Sequence, residues 1–292
     1  MEQLETLRRK LQSAQDLHSV VKTMKSLAAV NIREYEKAVE SLQDYFRTIQ
    51  MGLQIAMRNK PKRVRFLQPG GDQKCGAVVF GSEQGMAGQF NNQIAEFTQN
   101  KLEEMNIQKK NLTIMALGEK LIGQLEGLGV EVEEGINVFG SMVDVNEVNQ
   151  EMLIKIEEWR LEKNVGRIVL FYNRTSSGTT YVQTMRKLFP LDEEWLNHLS
   201  DQSWPTRMLP SLFMDWEILF SALLKEYFFV ALYRASMESL ASENASRLSS
   251  MQAAEKNIQE RLDELSTKYQ HQRQESITAE LLDIVSGFEV LS

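Results

Sequence analysis

The sequence predicts an α/β protein: a long antiparallel coiled coil of N- and C-terminal helices with a mostly parallel α/β domain inserted between them. Three observations lead there: the placement of the helix breakers, a heptad pattern at both ends, and alternating strand and helix patterns in the middle. All five prolines lie between Pro61 and Pro210, and of sixteen glycines only Gly52 and Gly287 fall outside that window. Proline costs about 3 kcal/mol and glycine about 1 kcal/mol in a helix interior. Residues 1–51 and 211–286 carry neither, so each can form one very long helix.

The heptads say what those helices do. In the first, Leu7, Ala14, Val21, Ala28, Tyr35, Leu42, Ile49 and Ala56 form one row. A second row runs Leu4, Leu11, His18, Lys25, Ile32, Val39, Phe46 and Leu53, apolar except at His18 and Lys25. Alternating steps of three and four keep a seam facing a partner helix as the two supercoil. The last helix repeats the pattern with Met237, Met251, Ile258 and Leu265 beside Ala241, Leu248, Leu262 and Tyr269, interrupted by Asn244 and Glu255. It slips near Gln272 and resumes as Ile277, Leu281 and Ile284. His18 and Lys25 are expected to snorkel from the seam, or to mark where it gives way to another protein.

Length arithmetic separates the two ends. A helix from Glu2 to Met57 reaches about 85 Å and one from Leu212 to Leu291 about 120 Å, which leaves roughly twenty C-terminal residues unpaired. Ile277, Leu281, Ile284 and Val285 in that overhang need another chain around them.

Between the helices, Ala77 to Phe80 reads as a buried strand, followed by a glycine-rich turn from Gly81 to Gly88 and a helix from Asn91 to Met105. Leu112 to Leu117 is a second strand, with a short helix to Leu128, and Val130 to Val132 a third. A helix over Val143 to Lys163 precedes a fourth strand, Arg167 to Tyr172, and a fifth, Thr179 to Leu188, pairs with it through Ser176 to Gly178. Strands separated by helices of this length favour a sheet covered on both faces. The chain thus divides into a helix over 1–58, a linker over 59–73, an α/β domain over 74–200 and a helix with its tip over 201–292.

Composition narrows the function. A net charge of −7 leaves no basic footprint for nucleic acid. The single cysteine, Cys75, excludes an intramolecular disulfide and reads as a small buried hydrophobe; with only three histidines, no metal site or nucleophilic triad is expected, and His18 is not read as a ligand. The N-terminus shows no signal peptide and no stretch approaches eighteen apolar residues, so a cytoplasmic protein is expected. The glycine-rich turn sits where phosphates bind in α/β folds. Its spacing, G-x-x-x-G-x-x-G with no following lysine, fits neither dinucleotide nor P-loop patterns, so close packing of helix on sheet is expected and no cofactor. Glu131, Glu133 and Glu134 cluster on a polar edge and read as solvated.

The most specific residues are in the last helix. The stretch from Tyr233 through Ser239-Leu-Ala-Ser-Glu-Asn-Ala-Ser-Arg247, then Met251 to Asn257, then Arg273-Gln-Glu-Ser-Ile-Thr-Ala-Glu280 to Gly287 closely resembles the γ subunit of F-type ATP synthases. Lys22-Thr-Met24, Gly81 to Asn91 and Phe171-Tyr-Asn-Arg174 resemble further motifs of that family, in order along the whole chain. The resemblance implies a Rossmann-like domain at the base of the coiled coil and a rotor that couples ion translocation to ATP synthesis or hydrolysis. Its implied partners are the α and β subunits as a hexamer, the ε subunit and the c-ring, one copy per complex, at the cytoplasmic side of a bacterial plasma membrane. No catalysis or cofactor of its own is implied. By motif match, Gln274, Thr278, Glu280 and Asp283 at the tip, and Lys22, Met24 and Arg247 lower down, are the expected contacts with the hexamer.

Departures from the family pattern at Asp16 to Ser19, at Glu83-Gln84 and from Trp204 to Pro210 are compatible with either the standard synthase or an alternate, Na⁺-moving ATPase. Two other readings compete: an α/β enzyme dimerised by its coiled coil, which needs a phosphate-cradling loop, and a cytoplasmic scaffold, which leaves the Arg273 to Glu280 motif unexplained.

Overall fold

The computed structural model describes residues 2–61, 74–137, 142–177, 180–205, 207–208, 210 and 213–291, without the side chains of 2–3, 142–144, 177, 283 and 286–291. The chain forms two compact units, one made of Met1–Ala29 with Arg247–Ser292 and the other of Val30–Ser246. Two helices contribute to both units: α1, Glu2–Arg58, and α6, Trp216–Leu291.

The larger unit is built on one five-stranded sheet. Its strands are β1 (Lys74–Phe80), β2 (Leu112–Leu117), β3 (Glu134–Ile136), β4 (Val165–Ser177) and β5 (Thr180–Phe189), in the order β3-β2-β1-β4-β5. All pairings are parallel except β4 with β5, which run antiparallel. Four helices accompany them: α2 (Phe90–Glu104), α3 (Glu119–Gly127), α4 (Met142–Leu161) and α5 (Glu193–Asp201).

Strand side chains alternate between faces, and two separate cores result. Val78, Phe80, Met115, Leu117, Ile168, Leu170 and Tyr172 meet Leu53 and Ala56 of α1, Met152, Ile156 and Trp159 of α4 and Phe228 to Ala235 of α6. On the opposite face Cys75, Ala77, Val79, Ile114, Ala116, Val169 and Phe171 meet Ile94, Ala95 and Leu102 of α2 and Leu121 and Leu125 of α3. Each cluster has many fully buried aliphatic or aromatic side chains, worth roughly 1.5–3 kcal/mol apiece in transfer free energy. Gly52, an apparent fault in the middle of α1, lies where Leu223 of α6 packs; a Cβ there would stand 2.6 Å from the Leu223 methyl.

Three details depart from the sequence expectation. The third strand is Glu134–Ile136 rather than Val130 to Val132. Val130 and Val132 pack against the α2–α3 core as the chain climbs to the sheet edge, where the Glu133 N–H donates to Ile114 O at 3.0 Å and pairing begins. Helix α5 was not anticipated; Asp192 caps it, its carboxylate accepting from the Glu194 N–H at 3.0 Å. Helix α6 begins at Trp216 rather than near Leu212, with Asp215 O accepting from the Leu219 N–H. The linker expected at 59–73 falls largely outside the described residues, as does Gly178 of the expected β4–β5 turn.

In the smaller unit the less exposed positions of α1 include Leu4, Leu7, Leu11, Ala14, His18, Val21, Lys25 and Ala28. Those of α6 include Met251, Glu255, Ile258, Leu262, Leu265, Tyr269, Gln272 and Ser276. Both sets step by three and four, the seam of a coiled coil.

Candidate functional site

The crevice at the carboxyl ends of the strands, where the order reverses between β1 and β4, is the usual ligand site of such a sheet. Here the chain fills it with its own helix. Ser242 of α6 is fully buried and its hydroxyl donates to Asn173 O, in the second half of β4, at 3.1 Å. One turn on, the Ser246 hydroxyl donates to Ala87 O in the glycine-rich loop at 2.6 Å. Asn173, also fully buried, donates its side-chain amide to Phe90 O at 3.4 Å and accepts from Gln183 at 3.3 Å, so its side chain ties β4 to α2 and β5 while its main-chain carbonyl receives α6. From Ala235 to Arg247 every residue of α6 is buried. Ser242 and Ser246 of this stretch reach main-chain carbonyls of β4 and the loop, while Met237, Leu240 and Ala241 pack with Tyr35 and Val145.

The loop is likewise closed on itself. The Ser82 N–H donates to Asn91 Oδ1 at 3.0 Å, and the Asn91 amide donates back to the Ser82 hydroxyl at 2.8 Å. At the start of α3, where an anion would be welcome, Glu83 already supplies a carboxylate that accepts from the Glu119 N–H at 3.2 Å. Gly81 is needed for packing: a Cβ there would lie 2.3 Å from Leu121 Cβ. Gly85 meets nothing within 4 Å.

In the smaller unit the polar interruptions of the two seams prove to be complementary. Lys25 forms an ion pair with Glu255 in a half-buried position. The Lys25 hydrogen bond holds the Glu255 carboxyl below its ordinary range, and the charges of Lys25, His18 and Lys22 act in the same direction against the cost of burial. In the larger unit the other interruption, Asn244, accepts from the Asn31 amide at 3.5 Å. Lys25, Glu255 and Asn244, read by the heptads as breaks, are therefore matched across the helix pair.

The seam does not slip at Gln272, as the sequence suggested. It continues in step through Gln272 and Ser276, both half-buried, while the apolar residues leave it. From Ile277 to Val285 every described side chain is exposed, with Ile277 at 47%, Leu281 at 58% and Leu282 at 63%. Of the expected contact residues, Gln274, Thr278 and Glu280 are exposed on this segment, the Thr278 hydroxyl donating to Gln274 O at 2.9 Å. The Asp283 side chain lies outside the described residues. Lys22 is exposed and Met24 half-buried. Arg247 differs from the rest, being only 9% exposed.

Sequence reasoning missed a third apolar row on α1. Leu17, Val20 and Leu27 are each more than half exposed and, with Met24, step by three, four and three. The spacing was there to be found, but the stronger rows of the seam masked it.

An α/β sheet domain whose terminal helices pair along a heptad seam is the fold of rotary-ATPase central stalks. The structure superimposes on the rotor of the Euglena gracilis mitochondrial ATP synthase with TM-score 0.65 and 16% identity, covering 94% of this chain and 99% of that one. A second Euglena structure, of the OSCP/F1/c-ring assembly, matches at TM-score 0.68 and 18% identity over 99% of this chain and 95% of that one. The chain belongs to the ATP synthase family, whose model matches residues 3–291, and within it is a gamma, central-stalk member. It is 28% identical to the ATP synthase gamma chain of Paracoccus denitrificans over the full length of both, and 25% identical to that of Sulfurovum sp. over 99% of each.

Proposed function

We propose that this chain is the non-catalytic rotor that couples ion translocation to ATP synthesis or hydrolysis. It turns inside a hexamer of alternating α and β subunits, and it stands with ε on the c-ring at the cytoplasmic face of the plasma membrane, one copy per complex. The observation that carries the reading is the exposed segment from Ile277 to Val285, whose apolar side chains call for an enclosing sleeve. The filled crevice supports leaving nucleotide chemistry to the hexamer. No helix among the described residues is long and apolar enough to cross a membrane, which fits a peripheral stalk seated on other subunits.

The contacts we assign to the hexamer are Gln274, Thr278, Glu280 and Asp283 at the tip, and Lys22 and Met24 along the row of Leu17, Val20 and Leu27. Arg247, enclosed as it is, is assigned a supporting role behind them. The test is co-expression with α, β and ε, comparing the wild-type chain, a truncation after Ser276, and Leu27→Glu. Both variants are expected to keep the unfolding midpoint of the isolated chain while lowering the ions pumped per ATP hydrolysed. Unchanged coupling in both would refute the rotor surface. A chain that bound nucleotide by itself and recruited no hexamer would establish the enzyme reading instead.

A further inference from the structure

Apart from the crevice and the seam, the larger unit carries a cavity of about 740 Å³ between the second half of α4, the end of β5 and the first turns of α6. That lies within the roughly 300–1,000 Å³ of small-molecule sites. Leu196, Phe220 and Phe228 form a buried apolar floor, and Trp216 and Ile154 line its rim. Trp216 is held in place by its stack on Phe220, 4.7 Å between centroids, and by its indole N–H donating to Ala56 O at 2.5 Å.

Arg160 lines the same cavity. Its guanidinium stands 4.2 Å from the centroid of Phe189, and burial lowers its pKa. Among the described residues it makes no hydrogen bond and no ion pair. Of the neighbouring acids Glu157 favours its charge, but without forming an ion pair with it. Glu157 is engaged by Lys225 at 3.1 Å, and Asp192 caps α5. Glu193 and Glu217 are exposed at the lip, as is a second cation, Lys187. A partly dried guanidinium is costly without a counter-charge and presents a fork that matches a carboxylate. An aromatic floor beside it suits a hydrocarbon chain.

We propose that this cavity binds a long-chain fatty-acid carboxylate, its head on Arg160 and Lys187 and its tail along Leu196, Phe220 and Phe228. The site is separate from the surfaces assigned to the rotor and does not depend on that reading.

The test is titration of the full-length chain with octanoate, decanoate and dodecanoate below their micelle concentrations, followed by calorimetry and tryptophan fluorescence. Affinity is expected to rise about fourfold per added methylene until the cavity is filled. Arg160→Gln is expected to weaken dodecanoate roughly tenfold while leaving binding of the uncharged dodecyl maltoside unchanged. Should that variant fold poorly, Lys187→Gln, at an exposed position, is expected to weaken dodecanoate by a smaller factor at an unchanged unfolding midpoint. Equal binding of charged and neutral amphiphiles would overturn the proposal. So would Arg160-dependent binding to phosphatidylglycerol vesicles without dodecanoate binding, or a cavity closed by dimerisation of the chain in light scattering.

Discussion

Gly81 and Gly85 sit four residues apart in the same loop, yet the structure gives them opposite sensitivities. A methyl group at Gly81 would lie 2.3 Å from Leu121 Cβ, 2.8 Å from its Cδ2 and 2.9 Å from its Cγ. Favourable carbon contacts lie near 3.5–4.0 Å, so α3 must retreat from β1 by more than about 1 Å. Leu121 is fully buried in the α2–α3 core, and it cannot withdraw without opening that core. Overpacking of this kind costs about 1–3 kcal/mol, a large share of a typical stability of roughly 5–15 kcal/mol. Gly81→Ala is therefore expected to lose that much in urea unfolding of the full chain, followed by tryptophan fluorescence. At Gly85 nothing lies within 4 Å, and Gly85→Ala is expected to change stability by less than about 0.5 kcal/mol. Leu121→Ala in the Gly81→Ala background removes the clashes with Cγ and Cδ2 but keeps the shortest one, with Cβ, so it is not expected to restore stability fully. A loop conserved in shape for phosphate would give the reverse order, with Gly85 sensitive and ATP binding lost along with it. Equal stabilities of the two variants, or Gly85→Ala the worse, would refute the packing argument.

Other predictions follow from the helix pair and the cores. Lys25→Glu sets two carboxylates against each other and should lower the thermal midpoint, whereas the exchange Lys25→Glu with Glu255→Lys should recover most of the loss; circular dichroism distinguishes them. Ser242→Ala removes the donor to Asn173 O and should cost about 1 kcal/mol in denaturant unfolding, while Ser242→Val should cost more because that position has no free volume. Burial pushes the Cys75 thiol from 9.0 up to about 11. The folded state thus prefers the protonated thiol, and its contribution to stability is complete below pH 9 and lost as pH rises through 11. Burial also raises Tyr172 and Tyr233, in the same direction. Unfolding midpoints measured from pH 8 to pH 11 should fall monotonically, and a Cys75→Ala variant should fall less steeply.

How far the sequence could be read depended on whether the physics was local. The seam of α1 was legible because periodicity along one helix is sufficient to define a face. Strands β1, β2 and β4 were legible because their short apolar runs admit few alternatives, and β5 because its residues alternate after a Ser-Ser-Gly turn signal. Strand β3 was not: Glu134-Gly-Ile136 has no strand character of its own and pairs because the end of α3 delivers it to Met115 to Leu117. Helix α5 carried a readable signal, Asp192 followed by Glu193 and Glu194, that was overlooked. Ser239 to Arg247 matched a motif before it had a physical meaning, since a serine-rich helical stretch looks solvated until the strands that enclose it are known. Lys25 and Glu255 looked like faults in two patterns because neither row names its opposite number. Arg247 was placed by motif among surface contacts, and its burial depends on neighbours that the motif does not specify.

The lodging of α6 in the sheet has a consequence for how the chain is made. The crevice beside Asn173 and Ala87 is closed by Ser242 and Ser246, which are synthesised about seventy residues after the end of β4 and about 160 after the loop. Domains that fold on the ribosome generally do so as their residues emerge. This one has all five strands outside the exit tunnel well before the helix that seals them, and until then Asn173 and the loop carbonyl face water. A nascent chain arrested just far enough beyond Phe189 for β5 to clear the tunnel should hold a sheet open to protease at the β1–β4 end, and one arrested far enough on for Ser246 to clear it should not.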